Sequence, residues 1–476
     1  MNNSWRRLFN YRNGKVLVIG LGLSGRASAL LLRRLGISTY AFDDSTSDEL
    51  RKVASELDRQ GVKVFLGRNS LDVIDFDFAV LSPGVPTTSD IVLRLKSAGV
   101  PVLGEIEFAW RLCCCPIIAI TGTNGKTTTT ELVEKVLLFG GRRAIAAGNI
   151  GLPVSSVVEK TRNLDWLVLE VSSFQLETIE FFRPTIAILT NITPDHFDRY
   201  SGMEEYIKAK VRVFENQLSF DWAVIEINAL KLLRKHGYEI PSRIVTYSAA
   251  DKSCDIFLDS SWVKSRFNGD REIGLINVDQ CQLKGPHNIE NIMAALAVAR
   301  ILQLPFQEVA DAILNYRPAE HRCELVMEID GIQFINDSKA TNVDAVAKAL
   351  MTVRKGLGNR PNVWLIAGGK DKGFGFDEIC ELLVQRVKGV VLIGETSQKI
   401  QSVWSKYVSC IQAENMLEAV FKAAENAVDG DVVLLSPACS SFDMFRDYRH
   451  RGEAFRKAVE LWCKSRLENN KTKKIV

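Results

Sequence analysis

Short apolar runs and amphipathic stretches alternate along almost the whole chain. "KVLVIG" is followed by a helical pattern through Leu35, "STYAFDD" by "DELRKVASELDRQG", and "DFAVLSPG" by "SDIVLRLKSAG" and then "VPVLG". Continuous apolar strands separated by amphipathic helices predict a parallel, doubly wound sheet, because strands covered on both faces carry apolar residues at successive positions. The pattern restarts near Glu105. "PIIAITGTNGKTTTTELVEKVLLFGG" reads as strand, glycine loop and helix, and "DWLVLEVSS", "PTIAILTNI" and "DWAVIEIN" read as further buried strands. Residues from about 231 to 282 are polar and short-patterned, and no element can be assigned there; "HNIENIMAALAVARIL" beyond them reads as an apolar helix. From Arg317, the runs "GIQFINDS", "NVWLIAGG", "GVVLIGE" and "DVVLLSPA" predict a third set of strands, separated by helical patterns such as "NVDAVAKALMTV" and "MLEAVFKAAENAV". The expected fold class is therefore α/β, in three domains over 1–104, 105–316 and 317–476.

Composition narrows the function classes without choosing among them. At 476 residues the chain is too long for one core, and 46% hydrophobic with 25% charged residues is ordinary for a soluble protein. Sixty basic residues stand against fifty-seven acidic ones, and the one basic cluster, "NNKTKKIV", reads as a solvated, frayed tail, so a dedicated nucleic-acid binder is not expected. Ten cysteines show no C-x-x-C pair and no zinc spacing. Cys113, Cys114 and Cys115 read as small apolar residues leading into a strand, which suits a reducing cytoplasm. "MNNSWRRLFNYRNGK" lacks the apolar core of a secretory leader, and no run approaches the ~18 residues of a membrane span. A cytoplasmic protein without membrane insertion is expected.

Three kinds of loop carry candidate chemistry. "VLVIGLGLSG" places Gly20-x-Gly22-x-x-Gly25 between a strand and a helix, with Asp43 and Asp44 further on. That is the dinucleotide-binding fingerprint of a Rossmann-like domain, in which a helix N-terminus meets a phosphate. By itself it suggests NAD. "AITGTNGKTTTTELV" is the more specific signal. Gly122, Thr123, Asn124 and Gly125 turn the chain, and Lys126, Thr127 and Thr128 open a helix. This G-x-x-G-K-T is shorter than the usual phosphate loop, with Ile120 where that loop has its first glycine. Backbone N–H groups there can approach phosphate oxygens, Lys126 can reach the β- and γ-phosphates, and the Thr127 hydroxyl can ligate Mg²⁺, so ATP binding is expected. Glu170 and His196 follow further buried strands, where open α/β sheets bind ligands, and a carboxylate with an imidazole near a triphosphate suggests metal ligation. Mg²⁺ prefers oxygen, which makes His196 the less usual ligand. In the third domain, Asp337, Lys339 and Thr341, then Lys370, Asp371 and Lys372, then Ser436, Ser440 and Ser441 follow three predicted strands. Such a rim suits a small anionic substrate.

In order along the chain, "GLGLSG", "SPGVP", "GTNGKTTTT", "GNIG", "LEVSSFQLE", "DHFDRY", "YIKAKVRVFEN", "GPHNIEN", "HRCE", "NDSKATN" and "LLSPACSSFDMF" together resemble the Mur ligase family over essentially the whole length. The resemblance implies a Rossmann-like first domain holding a UDP-sugar, a central ATPase domain with the phosphate loop, and a Rossmann-like third domain holding an amino acid. It is strongest to the branch that joins D-glutamate to UDP-N-acetylmuramoyl-L-alanine through an acyl phosphate, in peptidoglycan precursor synthesis. The sister reaction, adding L-alanine to UDP-N-acetylmuramic acid, is the alternative. A nucleotide-dependent oxidoreductase or a non-catalytic nucleotide sensor would leave the central loop or the rim without a role.

Carried over position by position, the resemblance implies these assignments. Gly122 to Thr128, Asn288, Asn291, Arg322, Asp337 and Lys339 contact ATP. Thr127, Glu170, His196 and Lys210 serve the metal, Lys210 as a carbamate, with two Mg²⁺ ions as cofactors beside ATP. Lys126, His196 and Lys210 are the catalytic set. Leu23, Ser24, Asp43, Ser82, Asn149 and Gln175 contact the UDP-substrate; Thr341, Lys372, Ser441 and Phe442 contact D-glutamate. A monomer is implied, with no partner beyond the substrates. The chain departs from the family pattern at Tyr448, where the aromatic expected beyond the serine loop would be Phe, and at Ser45, where a basic residue would follow "AFDD".

Overall fold

Residues 14–67, 76–149, 151–197, 199–269, 271–317, 320–371, 373 and 375–473 are described in the structure, a computed structural model. The N-terminal apolar runs become β1 (Lys15–Ile19), β2 (Ser38–Asp43), β3 (Lys63–Leu66), β4 (Phe78–Leu81) and β5 (Val102–Gly104), a parallel sheet in the order β3-β2-β1-β4-β5. The direction of winding reverses between β1 and β4, so the loops after these strands leave at the switch point where such sheets take ligands. Leu17, Ile19, Phe42, Ala79 and Leu81 pack with Ile91, Val92 and Leu95 of the helix Asp90–Ser97. The helix Leu23–Arg34 follows the glycine turn, and a Cβ at Gly25 would lie 1.8 Å from the Gly20 carbonyl oxygen. Close approach of helix and strand is the physical reason for the third glycine of the spacing.

The central sheet holds β6 (Ile117–Thr121), β7 (Ala144–Gly148), β8 (Trp166–Glu170), β9 (Ile186–Leu189), β10 (Trp222–Glu226), β11 (Arg243–Ser248), β12 (Ile256–Asp259), β13 (Trp262–Ser265) and β14 (Ile273–Asn277). Their order is β14-β13-β12-β11-β10-β9-β6-β8-β7; β12, β13 and β14 pair antiparallel in succession, and the other pairs are parallel. The stretch without a legible pattern is thus the helix Ile227–Lys235, β11 and a β-meander whose turn at Ser260 takes φ 54°. Strands this short at a sheet edge carry little periodic signal.

The C-terminal sheet runs β15 (Glu324–Ile329), β16 (Ile332–Asn336), β17 (Val363–Gly368), β18 (Val387–Ile393), β19 (Ser409–Gln412) and β20 (Val432–Leu435), in the order β15-β16-β20-β17-β18-β19. β15 folds back on β16 through Asp330 and Gly331 at φ 50° and 72°, the positive pair of a two-residue hairpin turn. The remaining pairs are parallel. Alternate residues face opposite layers: Leu365, Val390 and Leu434 pack with Leu383, Ile400 and Trp404, while Ile366, Val391 and Leu435 pack with Val420, Phe455 and Val459. Each such fully buried aliphatic side chain contributes roughly 1.5–3 kcal/mol. Residues 469–473 of the basic "NNKTKKIV" segment continue the helix Tyr448–Lys473, and its last three residues lie outside the described residues.

The α/β class with three sheets is as expected. The chain divides into two compact units. Met1–Asn191, Ile207–Asn277 and Glu290–Leu314 make the first, with the N-terminal and central sheets; Ile192–Tyr206, Val278–Ile289 and Asn315–Val476 make the second, with the C-terminal sheet. Residues 192–206 join the second unit through Asn342 Nδ2, which donates to Asp195 at 3.0 Å, and the Thr193 hydroxyl, which donates to Asp344 at 3.2 Å. No helix among the described residues is long and apolar enough to cross a membrane.

Candidate functional site

In the first unit, β6 lies between β8 and β9, so the loop 122–125 leaves the sheet at its switch point. The register sets Glu170 beside Ile120 and Leu189 beside Thr121. The residues after β9 brace the loop. Thr123 N–H donates to the Asn191 carbonyl at 3.0 Å, Asn124 N–H to Asn191 Oδ1 at 2.9 Å, and the Thr190 hydroxyl to the Asn124 carbonyl at 2.6 Å. Gly125, at φ 84°, begins the helix Lys126–Phe139 with no side-chain cap. A helix start leaves N–H groups without intrahelical partners, and with the helix dipole they form a site for an anion.

Two lysines converge on this turn. Lys126 Nζ donates to the Gly122 and Thr123 carbonyls at 2.9 and 2.7 Å. Lys210, buried at 1% exposure, donates to the same Gly122 carbonyl at 2.6 Å. Asn291 approaches from the helix Pro286–Ile301: its Oδ1 accepts from the Thr129 hydroxyl at 3.1 Å and would lie 2.4 Å from a Cβ at Gly125. Thr127 and Thr128 are buried in the first helical turn.

Glu170 ends β8, almost fully buried. Asn149 Nδ2 donates to its Oε1 at 2.9 Å; its Oε2 is buried without a hydrogen-bond partner among the described residues. A carboxylate oxygen left this way is costly, and a hard divalent cation would satisfy it. The donor set at the end of β8 therefore fits Mg²⁺.

At the N-terminal switch point, Leu21 N–H donates to Asp43 Oδ2 at 2.8 Å, Ser45 N–H to Asp43 Oδ1 at 3.0 Å, and the Ser82 hydroxyl to the Gly20 carbonyl at 2.8 Å. Both side chains thus shape the glycine turn itself. Leu23 is exposed beside it and Ser24 half-buried, and the helix they open has no side-chain cap. Gln175 closes a capping box at the helix Ser173–Leu176, its Oε1 accepting from the Ser172 N–H and hydroxyl.

In the second unit, β20 sits between β16 and β17, so the three polar loops after these strands leave side by side. Asp337 accepts from the Ser436 hydroxyl at 2.9 Å and from Cys323 N–H at 3.1 Å. Burial pushes its carboxyl up to about 7, against the pull of those two hydrogen bonds and the Arg322 charge. Lys339 Nζ lies 3.9 Å from the Tyr448 ring centroid. Thr341 precedes Asn342, which caps the helix Val343–Thr352. Ser441 is buried and Phe442 exposed. Lys370 N–H donates to the Ser440 carbonyl at 2.9 Å, and Lys372 lies outside the described residues. Asn288 Nδ2 donates to the Lys284 carbonyl at 2.7 Å. His196 adopts φ 59°, uncommon for a side-chain-bearing residue, and its N–H donates to Asp195 Oδ1 at 2.8 Å. Asp195 Oδ2 is 3.7 Å from His196 Nε2 and takes the Asn342 bond, so a buried pair fixes this turn.

Glu320, His321 and Glu453 also bring potential ligand atoms within 4.8 Å of one another. Asn336 donates to His321 Nδ1 at 2.9 Å, its amide oriented by the Gly452 carbonyl and by Ser338 N–H. That leaves the proton on Nε2, facing Glu453, and no lone pair there for a metal.

Asp337 makes a pH prediction. Its folded pKa lies above the ordinary carboxylate value of about 3.9, so its contribution to stability is full below that value and is lost as pH rises through about 7. Thermal unfolding of wild type relative to Asp337→Asn should show a stability difference that shifts against wild type between about pH 4 and 7. A difference independent of pH would contradict this.

The structure therefore gathers Lys126, Lys210 and Asn291 at one glycine loop, Asn149 at Glu170, and Asp337, Lys339, Thr341 and Ser441 on adjoining loops; His196 belongs to the second unit. The sequence reading missed Thr190, Asn191, Asp195, Asn342 and Arg451. Polar residues just beyond buried strands were the available signal for the first three.

Known proteins agree with this organisation. Residues 14–104 match the MurD-like N-terminal domain of Mur ligases, 120–299 the Mur ligase middle domain, and 321–439 the Mur ligase glutamate ligase domain. The UDP-N-acetylmuramoylalanine–D-glutamate ligase of Koribacter versatilis is 40% identical over 451 residues, covering 94% of this chain and 97% of its own. That of Thermoanaerobacter pseudethanolicus is 40% identical over 464 residues, covering 94% and 98%. Among solved structures, a pseudomurein peptide ligase type C from Methanothermus fervidus has the same fold, with a TM-score of 0.59 at 18% identity over 94% of this chain and 99% of that one. UDP-N-acetylmuramate–alanine ligase from Thermotoga maritima reaches 0.58 at 19% identity over 95% and 100%. With its glycine loop, its buried carboxylate and near-complete alignment to these relatives, the chain belongs to the Mur ligase family.

Proposed function

We propose that this protein is an ATP-dependent ligase that joins D-glutamate to UDP-N-acetylmuramoyl-L-alanine. The observation that carries the reading is 40% identity over 94% of the chain to relatives of that name, against 19% to the alanine-adding ligase. The site residues support it chemically. A carboxylate is a poor electrophile, so the terminal phosphoryl group of ATP is first transferred to an oxygen of the L-alanyl carboxylate, giving an acyl phosphate and ADP. The amine of D-glutamate then adds to the carbonyl carbon and gives up a proton to solvent or to the departing phosphate, and the C–O bond breaks with its electron pair leaving on phosphate.

Nucleophile and triphosphate are both anionic, and the cationic groups at the glycine loop are what lowers that repulsion. Gly122 to Thr128 supply helix N–H groups and the Lys126 ammonium to the phosphates. Asn288, Asn291, Arg322, Asp337 and Lys339 hold the rest of ATP. Thr127, Glu170 and a carbamylated Lys210 would hold Mg²⁺, with His196 keeping the metal role that the resemblance implies; bound Mg²⁺ neutralises phosphate charge. Leu23, Ser24, Asp43 and Ser82 place the UDP pyrophosphate on the N-terminal glycine turn, with Asn149 and Gln175 toward the muramoyl part. Thr341, Ser441, Phe442 and Lys372 hold D-glutamate.

The test is phosphate release with ATP and Mg²⁺ in crossed pairs: UDP-N-acetylmuramoyl-L-alanine or UDP-N-acetylmuramic acid, with D-glutamate, L-glutamate or L-alanine. Release is expected only from the first nucleotide with D-glutamate. Release from UDP-N-acetylmuramic acid with L-alanine would overturn the reading in favour of the sister reaction.

A further inference from the structure

Arg451, in the first turn of the helix Tyr448–Lys473, is 1% exposed, although Arg446 and Arg449 of the same run are exposed. Its guanidinium is shared among the polar loops of the second unit. Nε donates to the Ser338 hydroxyl at 3.0 Å and Nη2 to the Ser338 carbonyl at 2.8 Å; Nη1 donates to the Cys439 and Ser440 carbonyls at 3.0 and 3.3 Å. The third loop closes on the same group. Gly369, at φ 142°, is packed so that a Cβ would lie 2.3 Å from the Ser440 carbonyl oxygen and 3.2 Å from Arg451 Nη1. The helix holds the first loop a second time, since the Ser338 hydroxyl donates to the Tyr448 carbonyl at 2.8 Å and the Tyr448 ring carries the Lys339 ammonium.

Packing alone does not call for this side chain. Burial pulls the guanidinium pKa down to about 10, against the pull of Cys439, Asp443 and Asp337, and no carboxylate among the described residues forms an ion pair with it. An apolar residue of similar volume could fill the space, but it would leave the Ser338, Cys439 and Ser440 acceptors without their donor. What arginine offers, and an apolar residue or lysine does not, is a planar fork that donates to several acceptors at fixed angles. Those acceptors are Ser338, beside Lys339, and Cys439 with Ser440, beside Ser441.

We propose that Arg451 is the positioning residue of the amino-acid site, clasping the loops after β16, β17 and β20 so that Thr341 and Ser441 meet D-glutamate in register. The proposal rests on the ligase reading above. Arg451→Met and Arg451→Lys test it by steady-state kinetics, by titration of UDP-N-acetylmuramoyl-L-alanine, and by amide hydrogen exchange. Displacing positioning groups by about 1 Å costs on the order of 100-fold. KM for D-glutamate should rise about 10- to 100-fold in Arg451→Met and less in Arg451→Lys, with affinity for the UDP-substrate unchanged. Amides of residues 338–341 and 440–441 should lose protection in both variants. Unchanged D-glutamate KM in a folded variant, or an equal worsening for all three substrates, would overturn the proposal. Arg451→Lys decides it if Arg451→Met does not fold. If wild type itself shows no D-glutamate-dependent phosphate release, the ligase reading has failed, and retained protection in the variants would then overturn the clasp as well.

Discussion

Lys126→Met should slow amide formation about 1,000-fold or more while leaving the affinity for UDP-N-acetylmuramoyl-L-alanine unchanged. Methionine keeps most of the apolar stem of lysine and removes the ammonium, with its charge and its hydrogen bonds to the turn. The ammonium rests on the Gly122 and Thr123 carbonyls, directly over the turn at the uncapped helix start. A triphosphate seated on the same N–H groups would lie within its reach. Transfer of a phosphoryl group to a carboxylate brings two anions together, and a preorganised cation is worth most where water is excluded. The UDP-substrate turn is in a different sheet, so its binding should not register the change. Steady-state phosphate release and a separate UDP-substrate titration read the two effects. A rate within tenfold of wild type would mean that the loop does not engage the reacting phosphates.

Lys210→Ala is the second large expected loss, about 100-fold or more, partly restored by a short-chain carboxylate such as acetate. As an ammonium, Lys210 is a buried cation sharing the Gly122 carbonyl with Lys126. Two cations on one carbonyl repel, and a lysine at the surface of a helix would not need to be there. As a carbamate the same side chain is an anion able to help hold Mg²⁺ near Glu170, whose Oε2 has no partner among the described residues. The two states predict opposite rescues. Carboxylates should restore activity to the variant if the carbamate acts, and small amines if the ammonium acts. Full activity of Lys210→Ala would remove both.

The sequence showed most of the elements and the chemistry of the loops, but not the contacts that set those loops. Buried parallel strands such as "IIAIT" and "VWLIAG" are almost wholly apolar and lead into glycine turns, so they were legible. β12, β13, β14 and β19 are short and lie at or near sheet edges, where one strand face or one neighbour is missing and the pattern fades. The glycine spacings reported phosphate turns because they encode backbone shape directly. Thr190 and Asn191 brace the central turn from another strand, and hydrogen bonds between distant segments leave no period in a sequence. Asp43 and Ser82 stood out by type, yet their oxygens are engaged with the turn beside them. Arg451 was hidden for a different reason. In "FRDYRHRGE" it looks like one more charge on a solvated face, and only the fold selects which arginine turns inward.

The most direct measurement follows the oxygen. UDP-N-acetylmuramoyl-L-alanine labelled with ¹⁸O in the alanyl carboxylate is incubated with the protein, ATP, Mg²⁺ and D-glutamate, and product and phosphate are analysed by mass spectrometry. Activation of that carboxylate by ATP predicts a D-glutamyl product together with ¹⁸O in the released phosphate, because the C–O bond to phosphate is the one that breaks. No D-glutamyl product, or a product accompanied by unlabelled phosphate, would contradict the account.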